Sequence, residues 1–80
     1  MKILIAEDEV SIAKALKVML EKNRYTVDMV YNGTDALDYG LQGAYDAMVL
    51  DVMMPGMNGL VVLRTMRRRG VSTPALFLTA

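Results

Sequence analysis

The feature that most limits what this chain can become is a set of four short apolar runs spread along its 80 residues. Three of them, Ile3 to Ala6, Ala47 to Leu50 and Ala75 to Leu78, contain no polar residue. Runs of that length without alternation suit strands covered on both faces, as in a parallel sheet packed between helices. The other run, Tyr25 to Tyr31, is interrupted by Thr26 and Asp28, so one side of it meets water and it belongs at a sheet edge.

Between the runs the spacing becomes helical. Ile12, Leu16, Met19 and Leu20 share one face, with Lys14, Lys17 and Glu21 opposite. Asn32-Gly33-Thr34 reads as a turn with a capping hydroxyl, leading into a short helix over Asp35 to Gln42 that stops at Gly43. Asn58 is a candidate N-cap for a third helix, with Leu60, Leu63 and Met66 inside. Arg67, Arg68 and Arg69 in its last turn complement the helix dipole, and Gly70 follows. The order is βαβαβαβ, which predicts an α/β fold, a doubly wound parallel sheet with helices on both faces. No linker or low-complexity tract divides residues 1–80, so they form a single unit.

Composition narrows the chemistry. Nine acidic and nine basic residues cancel, so the chain carries no net field to draw it onto nucleic acid or an anionic membrane. Cysteine is absent, which removes disulfides, thiolate nucleophiles and sulfur metal sites. Histidine is absent too, so a partner must supply any imidazole that acts as base or phosphoryl carrier. The apolar start is too short for a signal peptide and meets Glu7 and Asp8 at once, giving a soluble cytoplasmic protein as the default.

In open parallel sheets, ligands bind beyond the carboxyl ends of the strands. Glu7 and Asp8 follow the first strand and Asp51 closes the third, so these acids converge if the two strands are neighbours. Two carboxylates about 4 Å apart repel by roughly 4 kcal/mol at the effective dielectric of a protein surface. Either a proton or a cation must relieve three of them, and hard oxygens without soft ligands favour Mg²⁺, with Mn²⁺ as the alternative. Beside such a cation a carboxylate can attack phosphorus and form an acyl phosphate. Asp51 is the candidate nucleophile. It stands alone at its strand end and precedes the loop Val52-Met53-Met54-Pro55-Gly56-Met57-Asn58-Gly59, whose proline and glycines expose backbone groups. Thr79 ends the fourth run with a hydroxyl that could meet a phosphoryl oxygen.

Blander readings exist for each feature. Glu7-Asp8 can simply open a helix, Asp51 can be a turn residue, and hydroxyls such as Thr79 are commonplace at strand ends. The arginine triplet is explained by the helix dipole, and the eight methionines by adaptable core filling. A phosphohydrolase with an aspartyl nucleophile would need a second acid near Asp51, where this chain has Val52 and Met53.

The Ile3-Leu4-Ile5-Ala6-Glu7-Asp8-Glu9 start, Asn32-Gly33, the Tyr45-Asp46 to Asp51 strand, the Asp51 to Gly59 loop and the Leu76-Phe77-Leu78-Thr79-Ala80 ending together resemble receiver domains of two-component signalling. The wording around Val27-Asp28, Leu63-Arg64 and Thr73-Pro74 is most similar to the class that carries a winged-helix DNA-binding domain after the receiver. The resemblance implies a flavodoxin-like receiver fold that stops after the fourth strand. It implies Asp51 as phosphoacceptor, Asp8 as a direct metal ligand, Glu7 acting largely through water, the Met53 carbonyl as a further ligand and Thr79 as the switch hydroxyl. The implied phosphoryl donor is a phosphohistidine on a sensor histidine kinase, and DNA is reached only through an effector domain absent from these residues.

A whole receiver runs to about 120 residues, near the usual domain size. By that measure these residues lack a fifth strand, the fourth and fifth helices and the lysine that pairs with the phosphoryl group. The expectation is therefore a partial receiver with impaired phosphorylation, not an enzyme, whose open apolar edge promotes self-association by strand pairing or element swapping. The alternative is an engineered or proteolytic half-fold, an interaction module with a vestigial acidic site.

Overall fold

Residues that are apolar without interruption need two dry faces, and the strands obtain them from helices on either side. The computed structural model describes residues 1–78. Its elements are β1 (Lys2–Ala6), α1 (Val10–Lys22), β2 (Thr26–Val30), α2 (Gly33–Gln42), β3 (Ala47–Asp51), α3 (Gly59–Arg68) and β4 (Ala75–Leu78). The strands make one parallel sheet in the order β2-β1-β3-β4. Ile3 and Ile5 of β1 point to the α1 face with Ala13 and Val27. Leu4 and Ala6 point to the opposite face with Val30, Ala36, Met48, Leu50, Val62 and Met66, under α2 and α3. Alternate residues of β1 thus serve two cores, which is why that run contains no polar residue.

β2 lies at the edge that its interrupted pattern predicts. β4 takes the other edge, and it departs from a strand buried on both faces: none of its residues is fully buried, and Leu76 is 72% exposed. Pairing on one side only, to β3, leaves it so. On α1 the inward stripe runs through buried Ala13 and half-buried Leu16 and Leu20, while Ile12 and Met19, read as core, are 46% and 56% exposed. On α3 the inward residues are Val62 and Met66, with Leu63 partly covered and Leu60 exposed. In both helices the sheet accepts a narrower stripe than the apolar pattern offers.

The cap of α2 also differs from the expected hydroxyl. Asn32 is the N-cap, its Oδ1 accepting from the Asp35 amide at 2.8 Å, and the helix starts at Gly33. A carboxamide placed one residue before the helix reaches the third amide directly, which leaves Thr34 inside the first turn. Asn58 caps α3 in the same way, accepting from Val61 at 2.9 Å. No helix among the described residues is long and apolar enough to cross a membrane.

Candidate functional site

β1 connects through α1 to β2 on one side, while β3 lies on the other side of β1. The connections therefore diverge at the carboxyl ends of β1 and β3, where this class of sheet opens a crevice. Ala6 pairs with Leu50, so the next residues, Glu7 and Asp51, stand side by side. Asp8 follows on the loop to α1. Glu7, Asp8 and Asp51 each offer an oxygen, and these atoms all lie within 4.8 Å of one another. The neighbour relation between the two strands, only inferred from sequence, is thus what assembles the cluster.

The three acids have different surroundings. Glu7 is buried at 5% exposure, Asp51 is half-buried and Asp8 is exposed. The Glu7 amide donates to the Val30 carbonyl at 3.1 Å, which prolongs the β1–β2 ladder by one step and draws the residue inward. Burial, then the adjoining Asp51 and Asp8 carboxylates, push the Glu7 carboxyl up to about 7. The Glu9 amide, donating to Glu7 Oε2 at 3.0 Å, opposes that rise without cancelling it. A proton on Glu7 and a divalent cation are two answers to the same crowding of charge. The donor set, all hard carboxylate oxygen, fits Mg²⁺ or Mn²⁺.

The loop after Asp51 is fixed at several points. The Met53 amide donates to Asp51 Oδ1 at 3.2 Å, and Gly59 N–H donates to the Val52 carbonyl at 2.9 Å. Gly59 lies so close to the Asp51 carbonyl oxygen that an added methyl group would overlap it. Pro55-Gly56 makes the turn, with Gly56 at φ +82°, and Gly33 N–H donates to the Pro55 carbonyl at 3.0 Å. Gly33 has no room for a side chain either, because the Met57 carbonyl occupies that space. The sequence announced a tight loop, but not that two glycines outside its turn hold it against α2 and α3. The Gly33 contacts join residues more than 20 positions apart and leave no local pattern.

Glu7, Asp8 and Asp51 line an open cleft of about 710 Å³, together with Glu9, Ile12, Val52, Met53 and Leu78. Met53, whose carbonyl was the expected further ligand, is among the residues lining this cleft. Thr79, the expected switch hydroxyl, lies outside the described residues.

Residues 3–80 match the family described as the response regulator receiver domain. The chain belongs to this family. It is 46% identical over 80 residues to the transcriptional regulatory protein DltR of Streptococcus agalactiae, an alignment covering all of this chain and 36% of DltR. The receiver domain of the Francisella response regulator 1452 superposes with a TM-score of 0.95 at 33% identity, over 99% of this chain and 65% of that one. TrrA of Thermotoga maritima, solved in complex with Mg²⁺-BeF, gives 0.83 at 36% identity, over 95% of this chain and 64% of that one. The receiver thus spans about a third of its DltR relative and about two-thirds of the receiver structures it resembles. It has the flavodoxin-like fold of the family through β4.

Proposed function

We propose that Asp51 is the phosphoacceptor of this receiver, taking a phosphoryl group from a phosphohistidine on a sensor histidine kinase. The observation that carries this reading is the convergence of Glu7, Asp8 and Asp51 at the ends of two adjacent parallel strands. An Asp51 carboxylate oxygen attacks phosphorus, the O–P bond forms as the P–N bond to the donor imidazole breaks, and the imidazole recovers a proton from solvent. Asp8, Asp51 and the Met53 carbonyl would hold Mg²⁺ or Mn²⁺ directly, with Glu7 acting largely through water. When bound, the cation offsets the negative charge that gathers as two anions approach. The Met53 amide steadies Asp51 Oδ1 at 3.2 Å, which favours attack through the other oxygen. Thr79 is the proposed switch hydroxyl. TrrA, whose structure contains Mg²⁺-BeF, supports the choice of cation.

The receiver is not an enzyme in this reading, since Asp51 is itself the group modified. Its output in this reading is DNA binding by a winged-helix effector domain of a cytoplasmic regulator, and the name of DltR, a transcriptional regulatory protein, supports the role in transcription. No lysine lines the cleft among the described residues, so the three clustered carboxylates, when ionised, and one divalent ion leave a net charge near minus one, with the acidic Glu9 beside them. Phosphorylation of these 80 residues alone is accordingly slow. The open β4 edge favours self-association, and it also favours the second reading, an interaction module with a vestigial acidic site.

Magnesium titration separates the two readings. The amide resonances of Glu7, Asp8, Asp51 and Met53 should shift saturably, with affinity about ten-fold or more weaker in Asp8→Asn. No Mg²⁺-dependent shift at those amides would sink the acceptor reading and leave the module.

A further inference from the structure

The chain contains two Asn-Gly steps, Asn32–Gly33 and Asn58–Gly59, and both border the loop that follows Asp51. Such a step is prone to modify itself, because a glycine nitrogen has no neighbouring side chain to keep it from the asparagine Cγ. The glycine N–Cγ bond forms, the Cγ–Nδ2 bond breaks, and ammonia leaves carrying the glycine amide proton. Water then opens the resulting succinimide at either carbonyl, giving aspartate or isoaspartate. No other reactant is needed.

Both attacking nitrogens are occupied by the same loop. Gly33 N–H donates to the Pro55 carbonyl at 3.0 Å and Gly59 N–H to the Val52 carbonyl at 2.9 Å. Both glycines are buried. Each carboxamide is engaged as a helix cap, Asn32 on the Asp35 amide and Asn58 on the Val61 amide. Ring closure also requires the attacking nitrogen to eclipse the Cα–Cβ bond, and at ψ 165° for Asn32 and 161° for Asn58 it stands well away from that alignment.

We propose that Asn32–Gly33 and Asn58–Gly59 are latent deamidation sites held shut by the loop over residues 52–58, so that opening of this loop exposes both. The chemistry damages the loop that restrains it. Isoaspartate at position 58 lengthens the main chain by one carbon next to Gly59, whose own Cα has no room for even a methyl group against the Asp51 carbonyl. At position 32 it does the same beside the Met57 carbonyl. The inference rests on backbone hydrogen bonds and does not depend on Asp51 accepting phosphate.

Peptide mapping by mass spectrometry, following deamidation and isoaspartate at positions 32 and 58 at 37 °C, tests it in native buffer and in concentrated urea. Both steps should react at least about ten-fold more slowly in the native protein, since reaction waits on local opening. Pro55→Gly, which loosens the turn, should accelerate both in native buffer and neither in urea. Equal rates in buffer and urea overturn the proposal, as does acceleration confined to one step or absent from both. Should Pro55→Gly fail to fold, the comparison of buffer with urea on the unsubstituted protein decides alone.

Discussion

A glutamate with only 5% of its surface exposed, its carboxyl facing two other carboxylates, persists only if its charge is offset. Glu7 has two means, a proton or a cation. Its folded value of about 7 lies above the ordinary 4.5, so between these values the folded state holds a proton that the unfolded chain has released. Its contribution to stability is therefore complete below about pH 4.5 and is lost as pH rises through about 7. The loss amounts to roughly 3 kcal/mol at most. Urea unfolding in EDTA should show the decline, Mg²⁺ should reverse it near neutrality, and Glu7→Gln should remove this part of the pH dependence. A Glu7→Gln profile parallel to that of the unsubstituted protein would contradict the assignment. The acids themselves were legible as strand-end residues; the burial of Glu7 was not, because it comes from the Val30 carbonyl, 23 residues along the chain.

At the scale of elements, α1 and α3 end alike but with unlike residues. Tyr25 N–H donates to Leu20 and Arg24 N–H to Glu21, as Val71 donates to Met66 and Gly70 to Arg67. This termination places the residue after the cap in the left-handed region, where Gly70 stands at φ +79° and Arg24 at φ +67°. Glycine adopts that conformation freely, whereas a residue with a Cβ is strained by roughly 1 kcal/mol or more. Arg24 is exposed and has no hydrogen-bonded side chain to lose among the described residues. Arg24→Gly should thus stabilise the protein by about 1 kcal/mol, seen as a higher urea midpoint at unchanged slope, and Gly70→Ala should lower it by a similar amount. An Arg24→Gly protein less stable than its parent would refute the strain. Gly70 was readable as a helix stop, but Arg24 was hidden because arginine carries no turn signal. The asparagine caps follow the same logic: Asn58 was legible, while at α2 the adjacent Thr34 offered a competing hydroxyl.

For the whole molecule, alternation of apolar runs and helical spacings was enough to predict the seven elements and their two layers of helices. Strand order was not legible from period alone, since it depends on which face each crossover takes. The same limit hid the exposed margin of the fold, where Ile12 and Met19 of α1 and Leu76 of β4 look like core residues in the sequence. With the outer edge of β4 unpaired among the described residues, these exposed apolar side chains predict association of residues 1–80 at micromolar concentration. Sedimentation should show mass rising with concentration, and Leu76→Lys should shift it toward monomer; a single monomeric species throughout would rule out the open edge as an interface.

The central claim, that the acidic end of this sheet is a working phosphoacceptor, is tested most directly by intact mass after treatment with acetyl phosphate. One phosphoryl group should add slowly in Mg²⁺, none in EDTA and none in Asp51→Asn. Addition that ignores Mg²⁺ or persists in Asp51→Asn, or no addition under any of these conditions, would contradict it.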